Sequence, residues 1–421
     1  MSTIMDMLRP LRLTATLLAR FWPQLLLIGA AGYIVRDLLL EAALFVGVRN
    51  PVGGMIVLSS VVLAKLLVVV AMFAALQPGL PALAALRRQA GGAIAEKDQK
   101  SSDRMLAVTA AVILPFFAYY AAWGFLGDTV REYSRLALER MQLGEKLKVF
   151  DLLESTGLIA SILACWAVRW VSKRMSKRSQ QPWWRLLTVA ADASWVFITL
   201  YAINEWKNAF IAWIGAAAVL DTGGEQGASL SIAAYAADGF TPVEFIQPAL
   251  STQLQSLFFY ALLPLIWLVM AAIINGYDLS AKPSAATPPV PSAGSSWRKW
   301  LHDFAAHFIG GYRSRYSPVW RCLKLTLGTG LATLLTFVVA YRAINWFGAW
   351  LWYAATRTIG PFDLDTWNVI AGVMAVFIGS PSDLDGGILF DAVRIALLAA
   401  VLEYAVSTDT QRQTERRAAA I

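Results

Sequence analysis

Apolar stretches of about twenty residues alternate with short charged segments along the whole chain, and neither a period of two nor a sustained heptad competes with that pattern. A helix rising 1.5 Å per residue needs about 20 largely apolar residues to cross a hydrocarbon core of roughly 30 Å. Windows that meet this length fall at 23–44, 55–76, 105–126, 152–171, 184–202, 252–274, 320–341 and 386–404. The expected fold is therefore an all-α, polytopic integral membrane protein of about eight transmembrane helices, arranged as four same-orientation helical hairpins with amphipathic surface helices and helical extensions on the outer face.

Charge between the windows sets the orientation. Basic segments occupy 9–20, 87–104, 173–185 and 298–324, and the tail carries Arg412, Arg416 and Arg417. With eight spans all five lie on one side, which the positive-inside rule makes cytoplasmic, so both termini are expected there. The opposite connections are acidic: 221–248 holds Asp221, Glu225, Asp238 and Glu244 without Lys or Arg, and 358–387 holds Asp363, Asp365, Asp383 and Asp385. Segment 128–154 mixes signs at helical spacing and reads as a helix continuing beyond the bilayer with a solvated polar face.

The spans group into pairs with weak internal similarity. In each pair the first helix carries a Tyr roughly four turns after its basic lead-in (Tyr33, Tyr120, Tyr201, Tyr341), and the third and fourth pairs share Ala-Ile-Asn at 202–204 and 343–345. Units of two spans keep one orientation, unlike the inverted repeats of many carriers. The first helices of pairs three and four continue through 205–220 and 341–359, with Trp206, Phe210 and Trp213 or Trp346, Trp350 and Tyr353 recurring on a face. These predict helices projecting outward as a cap or shallow apolar groove. The expected organisation is an amphipathic helix over 1–22, hairpin one over 23–79, a connection at 80–104, hairpin two over 105–172 and a basic loop at 173–183. Hairpin three follows over 184–275, then a Pro/Ser/Ala linker at 276–296, an interfacial helix at 297–318, hairpin four over 319–406 and a tail at 407–421.

Composition narrows the function classes. At 57% hydrophobic and 15% charged residues, one soluble domain would have more apolar surface than it could bury. The net charge of +8 is dispersed among short loops, which argues against nucleic acid as a partner. Seventeen Trp residues, many at the ends of apolar runs, suit headgroup-level belts. The wealth of Ala, Arg, Gly and Trp suits a bacterial chain of high GC content, hence an inner (plasma) membrane location. Cys165 and Cys322 both fall on the reducing side, His302 and His307 lack a ligand spacing, and no phosphate loop or nucleophile elbow occurs. No metal, cofactor or catalytic residue is expected.

Charged residues inside spans are costly and are the natural candidates for function. Lys65 lies near the middle of the second window, and Arg36, Asp37 and Glu41 lie in the outer half of the first. Asp37 and Lys65 fall within one to two turns in depth, as a coupling pair or a static ion pair would. Arg169, Asp192, Asp391 and Arg394 form a second set, with the last two spaced to pair on one helix. Asp363, Asp365, Asp383 and Asp385 have the oxygen chemistry for a divalent cation at an outer-face enzyme site, or for helix capping. The expectation is a non-catalytic accessory or scaffold subunit of a cell-envelope complex, in contact with the lipid bilayer and with a protein partner or further copies of itself. A secondary transporter using Asp37 and Lys65, or an outer-face enzyme, are the alternatives.

Overall fold

A computed structural model describes residues 2–85, 125–140, 250–275, 331–379 and 387–419, with shorter stretches between 165 and 199. Among the described residues every regular element is helical. The helices are α1 (Ser2–Arg49), α2 (Pro51–Leu76), α3 (Phe125–Arg140), α4 (Leu250–Ile274), α5 (Leu331–Ile359), α6 (Leu364–Ile378) and α7 (Ile388–Ala419). A further helical stretch lies within Leu187–Thr199. Among the described residues two segments are long and apolar enough to cross a membrane by length and composition, Pro51–Gly79 and Ala332–Ile359. The linker 276–296, the interfacial helix 297–318, the extension 205–220 and the third and fourth windows as far as their described edges lie outside the described residues.

The segment expected as a separate surface helix is the start of α1, which runs unbroken through Pro10 and Pro23. Its inner part packs on protein: Leu17, Phe21 and Leu25 are buried, and Gly79 lies against Leu17 and Phe21. A single residue separates α1 from α2. Asn50 is extended and its Oδ1 accepts from the Gly53 N–H at 3.1 Å, while Pro51 occupies the first helical turn, where its missing N–H costs nothing. The two helices then run back to back. A Cβ at Gly54 would lie 2.6 Å from Gly47 Cα, and one at Gly29 would lie 3.1 Å from Met72 Cε, so small residues let the backbones approach closely.

These contacts give the bundle an internal ruler. Gly47 faces Gly54, Gly32 faces Val68, Gly29 faces Met72 and Ile388, and Gly348 faces Phe390. Lys65 is thereby level with Arg36, and the outer end of α5 falls about 15 Å short of the outer end of α1 at 1.5 Å per residue. Helix α5 is continuous to Ile359, but the outermost part of the described fold is the α1/α2 turn with α3 laid on it. The reason is that α7 grips α5 through Phe347 and Phe390, whose centroids are 6.3 Å apart, and seats it low.

The core is shared by α1, α2, α3, α4, α5, α7 and the 187–199 stretch, with Phe73, Phe197 and Phe337 among its largest fully buried side chains. Helix α6 stands outside it, with Met374 as its buried residue. This helix corrects the reading of 358–387 as a simple acidic connection: at fifteen residues it is too short to appear in a window of spanning length. Glycines at positive φ follow the ends of α5 and α6, Gly360 at 87° and Gly379 at 85°.

Candidate functional site: charged residues between the helices

Arg36 belongs to the stripe of α1 that faces α2, in register with Gly29, Gly32, Leu40, Ala43 and Gly47. Its guanidinium Nη2 donates to Glu132 Oε2 of α3, and the pair is about one-fifth and one-third exposed. One turn further out, Arg140 Nη2 donates to Glu41 Oε1 at 2.8 Å, with both side chains exposed. Helix α3 is therefore bolted to α1 at two levels. Between the bolts, the buried Tyr133 reaches into the α1/α2 crossing. Its hydroxyl faces Ala43 O at 3.5 Å and occupies the space a Cβ on Gly47 would need. Burial raises the pKa of that hydroxyl. On the far side of α3, Arg135 and Glu139 pair at 2.8 Å in solvent, the polar face expected from their spacing.

Lys65 is half-buried on α2 and shares a level with Arg36, whereas Asp37 lies about 100° further around α1 and is exposed. The α1 residue in the α2-facing stripe at that level is thus Arg36. The Lys65 helix is joined to the 187–199 stretch by a hydrogen bond between the Ser59 and Ser194 hydroxyls, 2.7 Å apart and buried. Asp192, two residues before that bond, is partly buried.

At the other end of the chain, Arg394 Nη1 donates to Asp391 Oδ1 at 3.0 Å, the local pair the spacing suggested. Its Nη2 donates to Asn345 Oδ1 of α5 at 2.7 Å. The Asn of the Ala-Ile-Asn motif thus acquires a role as the acceptor that ties α5 to α7.

Two participants were missed from sequence. Glu132 lies in the segment 128–154, whose polar face is expected to be solvated. Glu403 sits in α7 at 5% exposure, and its carboxylate accepts from the backbone N–H groups of Ala82 and, at 3.0 Å, Leu83. Helix resumes at Pro81 with Leu80 before it, a residue with no capping oxygen, so the last helix supplies the cap that the local sequence lacks. The signal was present: an acid inside the apolar run 395–406 should have joined the candidates.

Of the outer acids, Asp363 caps α6, its Oδ2 accepting from Thr366 N–H at 3.2 Å and its Oδ1 from Thr366 Oγ1 at 2.6 Å. The side-chain bond from Thr366, followed by the backbone one, lowers its pKa. Asp365 is exposed in the first turn of the same helix. Asp383, Asp385 and Arg169 lie outside the described residues. Among the described residues no three His, Cys, Asp or Glu side chains gather closely enough to hold a metal ion.

Comparison of the chain with protein-family models, with curated proteins and with solved structures finds no match.

Proposed function

We propose that this chain is a bacterial inner-membrane protein of about eight spans with both termini cytoplasmic, acting as a non-catalytic scaffold or accessory subunit of a cell-envelope complex. The observation that carries this reading is the use made of the interhelical charges. Arg36 is bound to Glu132, Glu41 to Arg140, Arg394 to Asn345 and Asp391, and Glu403 to two backbone N–H groups. Each holds one helix to another across a long stretch of sequence or, in the last case, completes a helix terminus. Placed in an apolar surrounding, such groups are costly unless matched, and matched groups fix a unique arrangement of helices. The apolar length of Pro51–Gly79 and Ala332–Ile359 and the one-sided distribution of Lys and Arg support the membrane assignment and its orientation.

The test is affinity isolation of the tagged chain from native membranes in mild detergent. A stoichiometric protein partner is expected. A monodisperse chain without a partner that also moves a solute into liposomes overturns the scaffold reading in favour of a transporter. Lys65→Met separates the two further: in a scaffold it alters assembly or stability alone, whereas in a carrier coupled through Lys65 it abolishes flux.

A further inference from the structure

Helix α3 is a charged helix laid against the outer half of a segment long enough to span. Tyr133 and the Arg36–Glu132 and Glu41–Arg140 pairs fix it beside 36–47 of α1, and Gly47 in turn faces Gly54 of α2. Lys65, level with Arg36, is the midpoint of Pro51–Gly79, so α3 meets α1 from half the depth of that segment outward.

The outward side of α3 is charged. Arg135 and Glu139 pair at 2.8 Å with 77% and 53% of their side chains exposed, Arg140 and Glu41 pair at 2.8 Å with 56% and 53% exposed, and Leu138 is exposed between them. At the level of Arg36 the exposed surface of α1 is divided lengthwise. Asp37 and Glu41, one turn apart, share the flank that the bond to Arg140 marks as the α3 side, whereas Val35 and Leu38 are exposed on the other flank. Exposed ion pairs at this depth need a polar surrounding, because charge against acyl chains is costly. Water meets that need better than a protein partner does. The pairs already balance each other's charge, and the N–H groups and oxygens left over on side chains more than half exposed are filled by solvent from any direction, whereas a covering protein would have to replace that hydration bond by bond. The aliphatic flank of α1 at the same level has the opposite requirement.

Resting on the membrane reading above, we infer that α1 and α3 line a water-filled vestibule, open on the outer side, whose floor is level with Arg36 and Lys65. It admits water and small hydrated solutes to half the depth of Pro51–Gly79, and about 20 Å of helix, from Lys65 to Gly79, separates its floor from the inner end of that segment. Asp37, Glu41 and the charged side of α3 form its wall, and acyl chains lie against Val35 and Leu38 on the other flank of α1.

The full chain, with Cys165 and Cys322 replaced by Ser, is reconstituted in phosphatidylcholine vesicles with a nitroxide on one introduced Cys at a time. Asp37→Cys and Leu38→Cys differ by about 1.5 Å in depth and point about 100° apart, so they compare the two flanks at one level. Glu139→Cys and Val35→Cys form a second pair that keeps the comparison if a substitution in the first disturbs folding. Power saturation measures the collision of each nitroxide with oxygen, which concentrates among acyl chains, and with a water-soluble nickel chelate. The expected result is chelate collision at Asp37→Cys and Glu139→Cys, and a ratio of oxygen to chelate collision several-fold higher at Leu38→Cys and Val35→Cys. Chelate collision at both members of each pair overturns the inference, since the bilayer then ends below this level. Oxygen collision without chelate at the charged-side positions overturns it too, since lipid then covers them, and so does shielding from both reagents, since a protein then does. Release of the protein from native membranes by alkaline carbonate defeats the membrane reading itself, whereas retention with any of these three results defeats the vestibule alone.

Discussion

The first hairpin and the last helix pair begin alike, with Tyr33 before Arg36 and Tyr341 before Arg342 and Asn345, yet they solve their polar problem in opposite ways. Between α1 and α2 the turn is one residue and the backbones meet at Gly47 and Gly54. The partners for Arg36 and Glu41 arrive from α3, about a hundred residues later. In the last pair α6 intervenes between α5 and α7, and the polar contact is internal, Asn345 to Arg394 to Asp391. A tight hairpin therefore depends on its neighbours for charge balance, and a looser one is self-sufficient and has a face to spare. That spare face is the aromatic one.

The strongest way to break the contrast is at the glycine crossing. A Cβ at Gly54 would lie 2.6 Å from Gly47 Cα, 2.9 Å from Tyr133 Oη and 3.2 Å from Ala43 O, two of them backbone atoms that cannot rotate away. Gly54→Ala is expected to push α1 from α2 and loosen α3, at a cost of about 1–3 kcal/mol from overpacking. The looser pair should tolerate the same kind of change. At Gly348 a Cβ meets Phe390 at an ordinary 3.5 Å, and Gly348→Ala should be neutral or gain up to about 1 kcal/mol of helix propensity. Thermal unfolding followed by circular dichroism in detergent compares them, and equal losses would remove the distinction between the two regions.

Next comes the link between the regions. Glu403→Ala removes the carboxylate that accepts from the Ala82 and Leu83 N–H groups, with an expected loss of about 2–5 kcal/mol. Glu403→Gln keeps one carbonyl oxygen and should recover part of it. Proteolysis near residues 80–85 reads the opening directly, and unchanged protection in Glu403→Ala would mean that the last helix does not anchor the first hairpin.

What the sequence revealed follows from range. The helices over 55–76 and 252–274, the local pair of Asp391 with Arg394 and the charged face of α3 depend on neighbours within a turn or two, and all are legible from spacing. Glu132 with Arg36, Glu403 with Ala82 and Asn345 with Arg394 join positions 49 to 321 residues apart, which no periodicity encodes. Helix α6 was hidden for a different reason: its fifteen residues fall below spanning length, and its flanking acids advertise a loop. The level of α5 depended on how α7 packs against it.

A smaller effect is expected at the α3 bolt. Glu132→Ala removes the carboxylate bound to Arg36, and because the pair is one-fifth to one-third exposed, solvent screening limits the cost to about 1–2 kcal/mol. The exchange of both residues, Arg36→Glu with Glu132→Arg, should restore part of it. Asp391→Ala is expected to cost less, since Arg394 keeps Asn345. A double-mutant cycle on Arg36 and Glu132 that gave no coupling would remove the claim that the first hairpin depends on α3.

The smallest effect separates the two regions by pH. Helix α2 is capped by Asn50, which does not titrate, and α6 by Asp363, whose carboxylate is held below its ordinary range by Thr366. A carboxyl group with a depressed folded pKa contributes stability that is present above its unfolded pKa and is lost as pH falls through the folded one. Acidification through and below the usual carboxylate range should therefore fray the first turn of α6 and leave that of α2 intact. Amide exchange at Thr366 and Trp367 against Gly53 and Gly54 measures the difference, with each pair referred to its intrinsic rate at the same pH. Asp363→Asn should make α6 as indifferent to acid as α2. If both caps opened together on acidification, the titrating group would lie elsewhere and the cap of α6 would be structural in the same sense as that of α2.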